Sequence, residues 1–201
     1  MNLKKFTEAL EQKQYRVKTF ESGKEAAGYL NQSLDGLKIG MACSATMQAL
    51  GLYESLSAHN AVCDPARCES DEEFLERSKE CLSKDVFLVT VNAAAETGEF
   101  VNLDATGNRL AGSLFGCRKV CFLVTENKVV PTLEEAIARA RNVAGPEDAQ
   151  RMGLDTPCAK EGCCSDCSCA DRICNAMTVY FRKMEGVEEA EVLVIQEAMG
   201  F

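Results

Sequence analysis

With 201 residues, 46% of them apolar and 26% charged, the chain has the make-up of one ordinary globular domain and enough length to bury a sizeable core. Its net charge of -9, with no run of Lys or Arg, argues against a general nucleic-acid or anionic-membrane surface, since each needs a basic patch. No apolar run approaches the roughly 20 residues that cross a bilayer, and the opening M-N-L-K-K-F-T-E-A-L-E-Q-K lacks the apolar core of a secretion signal, so a cytoplasmic address is expected. Twelve cysteines are unusual there, because cytosolic thiols stay reduced; metal binding or redox chemistry becomes the natural account.

In chain order, Leu3, Phe6 and Leu10 fall on one face of a helix ending near Tyr15, and Arg16 to Phe20 reads as a strand. Ser22-Gly23-Lys24-Glu25 has the form of a capping box before a second helix carrying Ala26, Ala27 and Leu30. Lys38 to Ala42 is a small apolar strand, and Cys43-Ser44-Ala45-Thr46 leads from it into a helical stretch. Ser44 and Thr46 there are either part of an anion cradle or simply an N-cap. Ala61 to Cys63 is a short apolar run, and Ser70 to Glu73 is a further capping box whose helix carries Phe74, Ser78, Cys81 and Leu82 on one face.

Val86 opens an unbroken apolar run with the composition of a strand buried on both faces, which belongs in the middle of a sheet. Glu96 to Glu99 forms a turn, Phe100 to Leu103 a second short strand, and Asp104 to Arg109 a polar cluster. Loops at the carboxyl ends of buried parallel strands are where open α/β sheets bind ligands. A helical piece, Leu110 to Phe115, precedes another apolar strand, Lys119 to Thr125. Thr132 to Glu135 caps an amphipathic helix with a buried stripe of Leu133, Ala136, Ile137, Ala140 and Val143, which Gly145-Pro146 is expected to stop. Ala176 to Phe181 and Val192 to Gln196 read as closing strands. Strands alternating with helices predict a three-layer α/β fold, a twisted and mainly parallel sheet with helices on both faces, in one domain with a Cys-rich segment near its end.

That segment, T-P-C-A-K-E-G-C-C-S-D-C-S-C-A-D-R-I-C-N, holds six of the twelve cysteines. Thiolates so close together repel one another and oxidise readily; a bound metal removes their protons and neutralises the charge. Cys158, Cys164, Cys167 and Cys174 would close either an iron-sulfur cluster or a tetrahedral zinc site. Only Cys164 and Cys167 have the two-residue separation typical of paired ligands. The bland alternative is a reduced surface loop, or local disulfides formed on exposure to air.

The motifs N-A-A-A-E-T-G-E-F-V-N-L-D-A-T-G-N-R, F-G-C-R-K-V, E-N-K-V-V, E-A-I-A-R-A-R-N and T-P-C-A-K-E-G through R-I-C-N, spread over nearly the whole chain, resemble the short LUD-domain proteins, named for lactate utilisation and formerly a domain of unknown function (DUF162). The resemblance implies a fold of the NagB/RpiA/CoA-transferase-like group, and larger relatives take part in oxidising L-lactate within iron-sulfur-containing complexes. It marks Asn92, Glu96, Gly98, Glu99, Asn102, Asp104, Gly107, Asn108 and Arg109 as the pocket, and Cys158, Cys164, Cys167 and Cys174 as the family's cysteines, with Cys163 and Cys169 as extras. Where relatives carry a Gly-Gly-Ser type turn, this chain has Ala42-Cys43-Ser44.

Glu96 and Glu99 are the candidate general base or nucleophile, against solvated turn acids. Asp104, Asn108 and Arg109 either hold a substrate carboxylate or phosphate, or Asp104 and Arg109 pair with each other. His59, the single histidine, reads as a surface residue, and Cys43, Cys81, Cys117 and Cys121 as small core residues. Two main functions follow: a redox or electron-transfer accessory of organic-acid metabolism with a cluster, a small anionic metabolite and a redox partner protein, or an isomerase or transferase acting on a sugar phosphate or thioester with structural zinc; a lesser third is a binding or interaction module with an inactive pocket. A homodimer is the default assembly.

Overall fold

The computed structural model describes the whole chain, Met1–Phe201. Helix α1 (Leu3–Gln12) starts at Asn2, whose side chain accepts from the Lys5 N–H, and buries Phe6 and Leu10. There follow β1 (Arg16–Phe20), α2 (Gly23–Ser33), β2 (Lys38–Met41), the short α3 (Ala45–Ala49) and α4 (Leu52–Ser57), β3 (Ala61–Cys63) and α5 (Asp71–Cys81). The middle of the chain forms β4 (Val86–Thr90), β5 (Ala93–Ala95), β6 (Phe100–Asp104) and α6 (Asn108–Leu114). The last third forms β7 (Lys119–Thr125), β8 (Val129–Val130), α7 (Leu133–Arg139), α8 (Gly145–Arg151), α9 (Pro157–Glu161), β9 (Ala176–Tyr180) and β10 (Glu189–Ile195). Ser22, Ser70 and Thr132 all cap helices, accepting from the N–H groups of Glu25, Glu73 and Glu135. Only Glu135 returns the bond to its own cap residue; Glu25 and Glu73 reach one residue further out, to the N–H groups of Glu21 and Glu69.

Six strands form one parallel sheet in the order β1-β10-β7-β4-β2-β3, with every residue of β4 buried in its interior, as the apolar run predicts. The chain's last strand inserts between β1 and β7. Leu88, Cys121 and Glu191 are in register and share one face, which α2 covers through a 2.6 Å bond from the Tyr29 hydroxyl to Glu191. The opposite face carries α5 and α6. A Cβ on Gly40 would stand 2.6 Å from the Cys81 carbonyl oxygen, and one on Gly112 2.5 Å from the Phe87 ring, so both helices approach where glycine lets them.

Two features depart from the sequence reading. Phe100 to Leu103 does not join the main sheet: β6 pairs antiparallel with β5 and β9 in a separate four-stranded sheet, β8-β5-β6-β9. This sheet lies over the Phe122 face, where the rings of Tyr15, Phe100 and Phe122 meet at centroid distances of 5.2 to 6.0 Å. Its other face packs Ala93, Ala95, Val101 and Leu103 against Ala136 and Ala140. The second departure is that Gly145-Pro146 does not stop the helix. A π-helical turn over Ala140–Ala144 joins α7 directly to α8. The wider turn makes room for the proline ring and dispenses with its missing N–H. It also shifts the register, leaving Val143 37% exposed rather than on the buried stripe. No helix is long and apolar enough to cross a membrane.

Candidate functional site

The carboxyl ends of β2, β4 and β7 open into the segments that carry Cys43 to Thr46, Asn92 and Lys128, and the first turn of α6 and the α7–α8 helix close over them. Asn92 ties this corner together. Its N–H donates to Asn102 Oδ1 at 2.8 Å, its own Oδ1 accepts from the Leu103 N–H at 2.7 Å, and its carbonyl accepts from Arg139 at 2.6 Å. Arg109 reaches in from α6, donating to the Cys43 carbonyl at 2.8 Å and to Asn92 Oδ1 at 3.4 Å. Asp104 does not pair with it; its two oxygens accept from the N–H groups of Thr106 and Leu110, so it folds the loop and caps α6. Gly107 supplies the positive φ of 95° at which that helix begins. Asn108 and Arg109 are left facing a cavity of about 180 Å³, together with Asn92, Asp148, Arg151 and Cys174.

Two neighbouring spaces share Cys43 and Arg151 with this cavity. One, of about 640 Å³, runs past Ser44 and Asp64 to Arg67. The other is a recess of only about 20 Å³ between Ser44, Thr46, Thr90, Arg109 and Lys128. Ser44 caps α3 and accepts from the Thr90 hydroxyl at 3.0 Å, so the N-cap reading holds, with the same residue also lining the recess. Cys43, expected in the core, is half-buried and faces the cleft, and burial pushes its thiol up to about 11. Burial likewise raises the Asp64 carboxyl above the usual range.

Lys128, Arg139 and Arg151 join the site without any local sequence pattern that marks them. Lys128 is 3% exposed and its ammonium is bonded to Thr46 Oγ1 at 3.1 Å, with no carboxylate in contact. Burial, with Arg109 and Arg139 nearby, brings it down to about 7. The available signal was its position three residues past the β7 run, at the carboxyl edge of the sheet.

Glu96, Gly98 and Glu99 lie elsewhere, at the tip of the β5–β6 hairpin against α1. Glu96 accepts from the Asn2 N–H at 2.6 Å and from Lys5 at 3.2 Å, while Glu99 accepts from Lys13 at 2.7 Å and from Thr97. These bonds hold both carboxyls below the usual range, Glu99 against its partial burial. Neither lines the cavities around Arg109. His59 contacts Asn31 and Asp35 at 3.2 Å, fastening α2 to the loop after α4.

Cys158, Cys164, Cys167 and Cys174 line one cavity of about 240 Å³, which also takes in Thr156, Asp166 and two arginines. Arg141 donates to Cys164 Sγ at 3.7 Å and pairs with Asp166 at 3.2 Å; Arg172 pairs with the same carboxylate at 3.1 Å and donates to the Cys167 carbonyl. Cys163 is exposed, and Cys169 lies 3.4 Å from Cys167, sulfur to sulfur. Four soft thiols around one cavity, with cations beside them, are chemistry that suits a thiolate-bound metal centre. No three His, Cys, Asp or Glu side chains are grouped closely enough to hold a single ion. Cys81, Cys117 and Cys121 are buried core residues, as expected.

An α/β protein with a cationic cleft at the carboxyl edge of a parallel sheet and a cysteine-lined cavity beside it is the class these features define. The LUD domain model matches residues 3–195, and the chain belongs to the LUD-domain family. Among solved structures it is similar to a DUF162 family protein from Deinococcus radiodurans, at 17% identity and a TM-score of 0.56, with 96% of this chain and 95% of that one covered, a likeness of fold. No curated protein matches it.

Proposed function

We propose that the protein is a redox accessory of small organic-acid metabolism, of the lactate-utilisation type, in which an anionic metabolite occupies the Arg109 cleft and the cysteine segment holds an iron-sulfur cluster. The observation that carries this reading is a shared wall: Leu103, Gly145, Ile173 and Cys174 line both the cysteine cavity and the cavity beside Arg109. Cys158, Cys164, Cys167 and Cys174 would be the ligands, and a bound cluster supplies one-electron transfer. Zinc held by the same four cysteines is the alternative, and metal analysis separates the two. Arg141 and Arg172 offset thiolate charge at the rim, while Arg109 and Asn108 offer donors to a carboxylate.

The alternative, an isomerase or transferase using Glu96 or Glu99, has less in its favour, since the two carboxylates are engaged by Lys5 of α1 and by Lys13 just past its end, away from the cleft. Iron and acid-labile sulfide analysis of anaerobically reconstituted protein tests the proposal. Brown protein that loses its colour in Cys164→Ser and Cys167→Ser, and keeps it in Cys163→Ser, is the expected result. Iron-free, colourless protein after reconstitution would overturn it.

A further inference from the structure

At the floor of the cleft, three cations, Lys128, Arg109 and Arg139, converge with no carboxylate in contact with any of them. Lys128 has the Thr46 hydroxyl as its hydrogen-bond partner. Arg109 and Arg139 spend their donors on neutral oxygens, the Cys43, Asn127 and Asn92 carbonyls and the Asn92 side chain. Of the acids near them, Asp148 is already paired with Arg151 at 2.7 Å, and Glu147 acts on Arg139 without a salt bridge to it. A buried ammonium without a counter-charge is costly, so a chain that keeps one at a cleft has a use for it with something bound. The groups facing Lys128 are therefore Thr46 from α3, Arg109 from α6, Arg139 from α7 and Asp148 with its partner Arg151 from α8, and the Met199–Phe201 segment closes the remaining side, where a Cβ on Gly200 would stand 3.6 Å from the Lys128 ammonium.

We infer that Lys128 is the specificity-determining residue of the cleft, the missing counter-ion being one carboxylate oxygen of a small monocarboxylic acid, and that binding this anion takes up a proton at Lys128. The inference rests on the anion-cleft half of the proposed function and is independent of the cluster. Size favours a carboxylate: the recess holds about 20 Å³, room for one oxygen-sized group, with the rest of the acid lying in the 180 Å³ space beside Arg109 and Asn108. A tetrahedral phosphate is bulkier around the oxygen it presents than a flat carboxylate, so it reaches the same recess less deeply. The proton follows from the charges. Lys128 is depressed by burial and by two arginines; an anion against it reverses both influences and restores the ammonium.

Calorimetric titration of the full chain with pyruvate, in two buffers of different ionisation enthalpy, tests this directly. The wild type is expected to take up close to about one proton per pyruvate at pH 8 and much less at pH 6, where Lys128 already carries its proton. Lys128→Met should weaken pyruvate binding by about tenfold or more and abolish the uptake. Lys128→Arg, permanently charged, should bind and take up nothing. Inorganic phosphate should bind more weakly than pyruvate to the wild type. Pyruvate binding unchanged in Lys128→Met, uptake that persists in either variant, no pyruvate binding by the wild type, or phosphate bound more tightly than pyruvate would each overturn the inference. Thermal melts of both variants establish that they are folded. Iron and sulfide content of Lys128→Met separates the two proposals, because the cluster should load normally even where the anion site is lost.

Discussion

Lys128 sets the electrostatic character of the floor and should show in stability as well as in binding. Unfolded, it titrates as an ordinary lysine near 10.4; folded, it is brought down to about 7. Between those values the unfolded chain holds the extra proton, so stability from this group rises as pH climbs from about 7 towards 10, and the whole penalty is present below 7. Lys128→Met should therefore raise the melting temperature at pH 6, with a gain that shrinks towards pH 10. The upper bound on the difference is on the order of 5 kcal/mol, and a gain independent of pH would contradict the assignment. Arg109 acts differently: its guanidinium bridges the Cys43 carbonyl and Asn92, a planar fork that lysine does not reproduce. Arg109→Lys should weaken pyruvate binding by about tenfold while leaving the fold intact, checked by titration alongside circular dichroism. These two residues were legible to different degrees. Arg109 sits in a polar cluster after a strand, a pattern visible in one dimension, whereas Lys128 is defined by what surrounds it in three.

At the level of elements, local signals were read well and pairings poorly. Capping residues, the apolar period of α1 and the buried run of β4 depend on neighbours a few positions away, so the sequence carries them openly. The second sheet does not. Ala93, Ala94 and Ala95 have no β-branched side chain to announce β5, and that strand exists because Phe100 and Val101 pair with it and α7 covers it. The expected stop at Gly145-Pro146 failed for a related reason: a π turn absorbs the proline, and Ala140, where that turn begins, packs on the small sheet, a contact between distant parts of the chain. The β5–β6 hairpin is a structural clamp on α1. Gly98, at φ +92°, has Lys13 carbons 2.9 Å and the Ala9 carbonyl carbon 3.1 Å from where a Cβ would stand. Gly98→Ala should cost about 1–3 kcal/mol in urea denaturation. By contrast, Glu96→Gln and Glu99→Gln should leave pyruvate affinity within about twofold of wild type, since their contacts are with α1 and not with the cleft. A larger loss in either would return a carboxylate to the site.

Across the whole molecule, a net charge of -9 coexists with a cleft lined by Arg109, Lys128 and Arg151 and a neighbouring cavity lined by Arg141 and Arg172. Composition spoke for the surface and hid the interior. The α/β class and the cysteine segment were plain from the sequence, but the contact between the cysteine cavity and the cleft depends on Gly145 and Leu103, which belong to the α7–α8 helix and the small sheet, the two features that local patterns missed. Leu103, Gly145, Ile173 and Cys174 line both cavities, so with the proposed anion and cluster in place a ligand on one side should be felt on the other. Electron paramagnetic resonance of the anaerobically reconstituted and reduced protein, recorded with and without pyruvate, is the most direct measurement of that link. A cluster signal whose shape changes on adding pyruvate in the wild type, and stays unchanged in Lys128→Met, is the predicted result; no cluster signal, or one indifferent to pyruvate at concentrations that saturate the cleft, would contradict it.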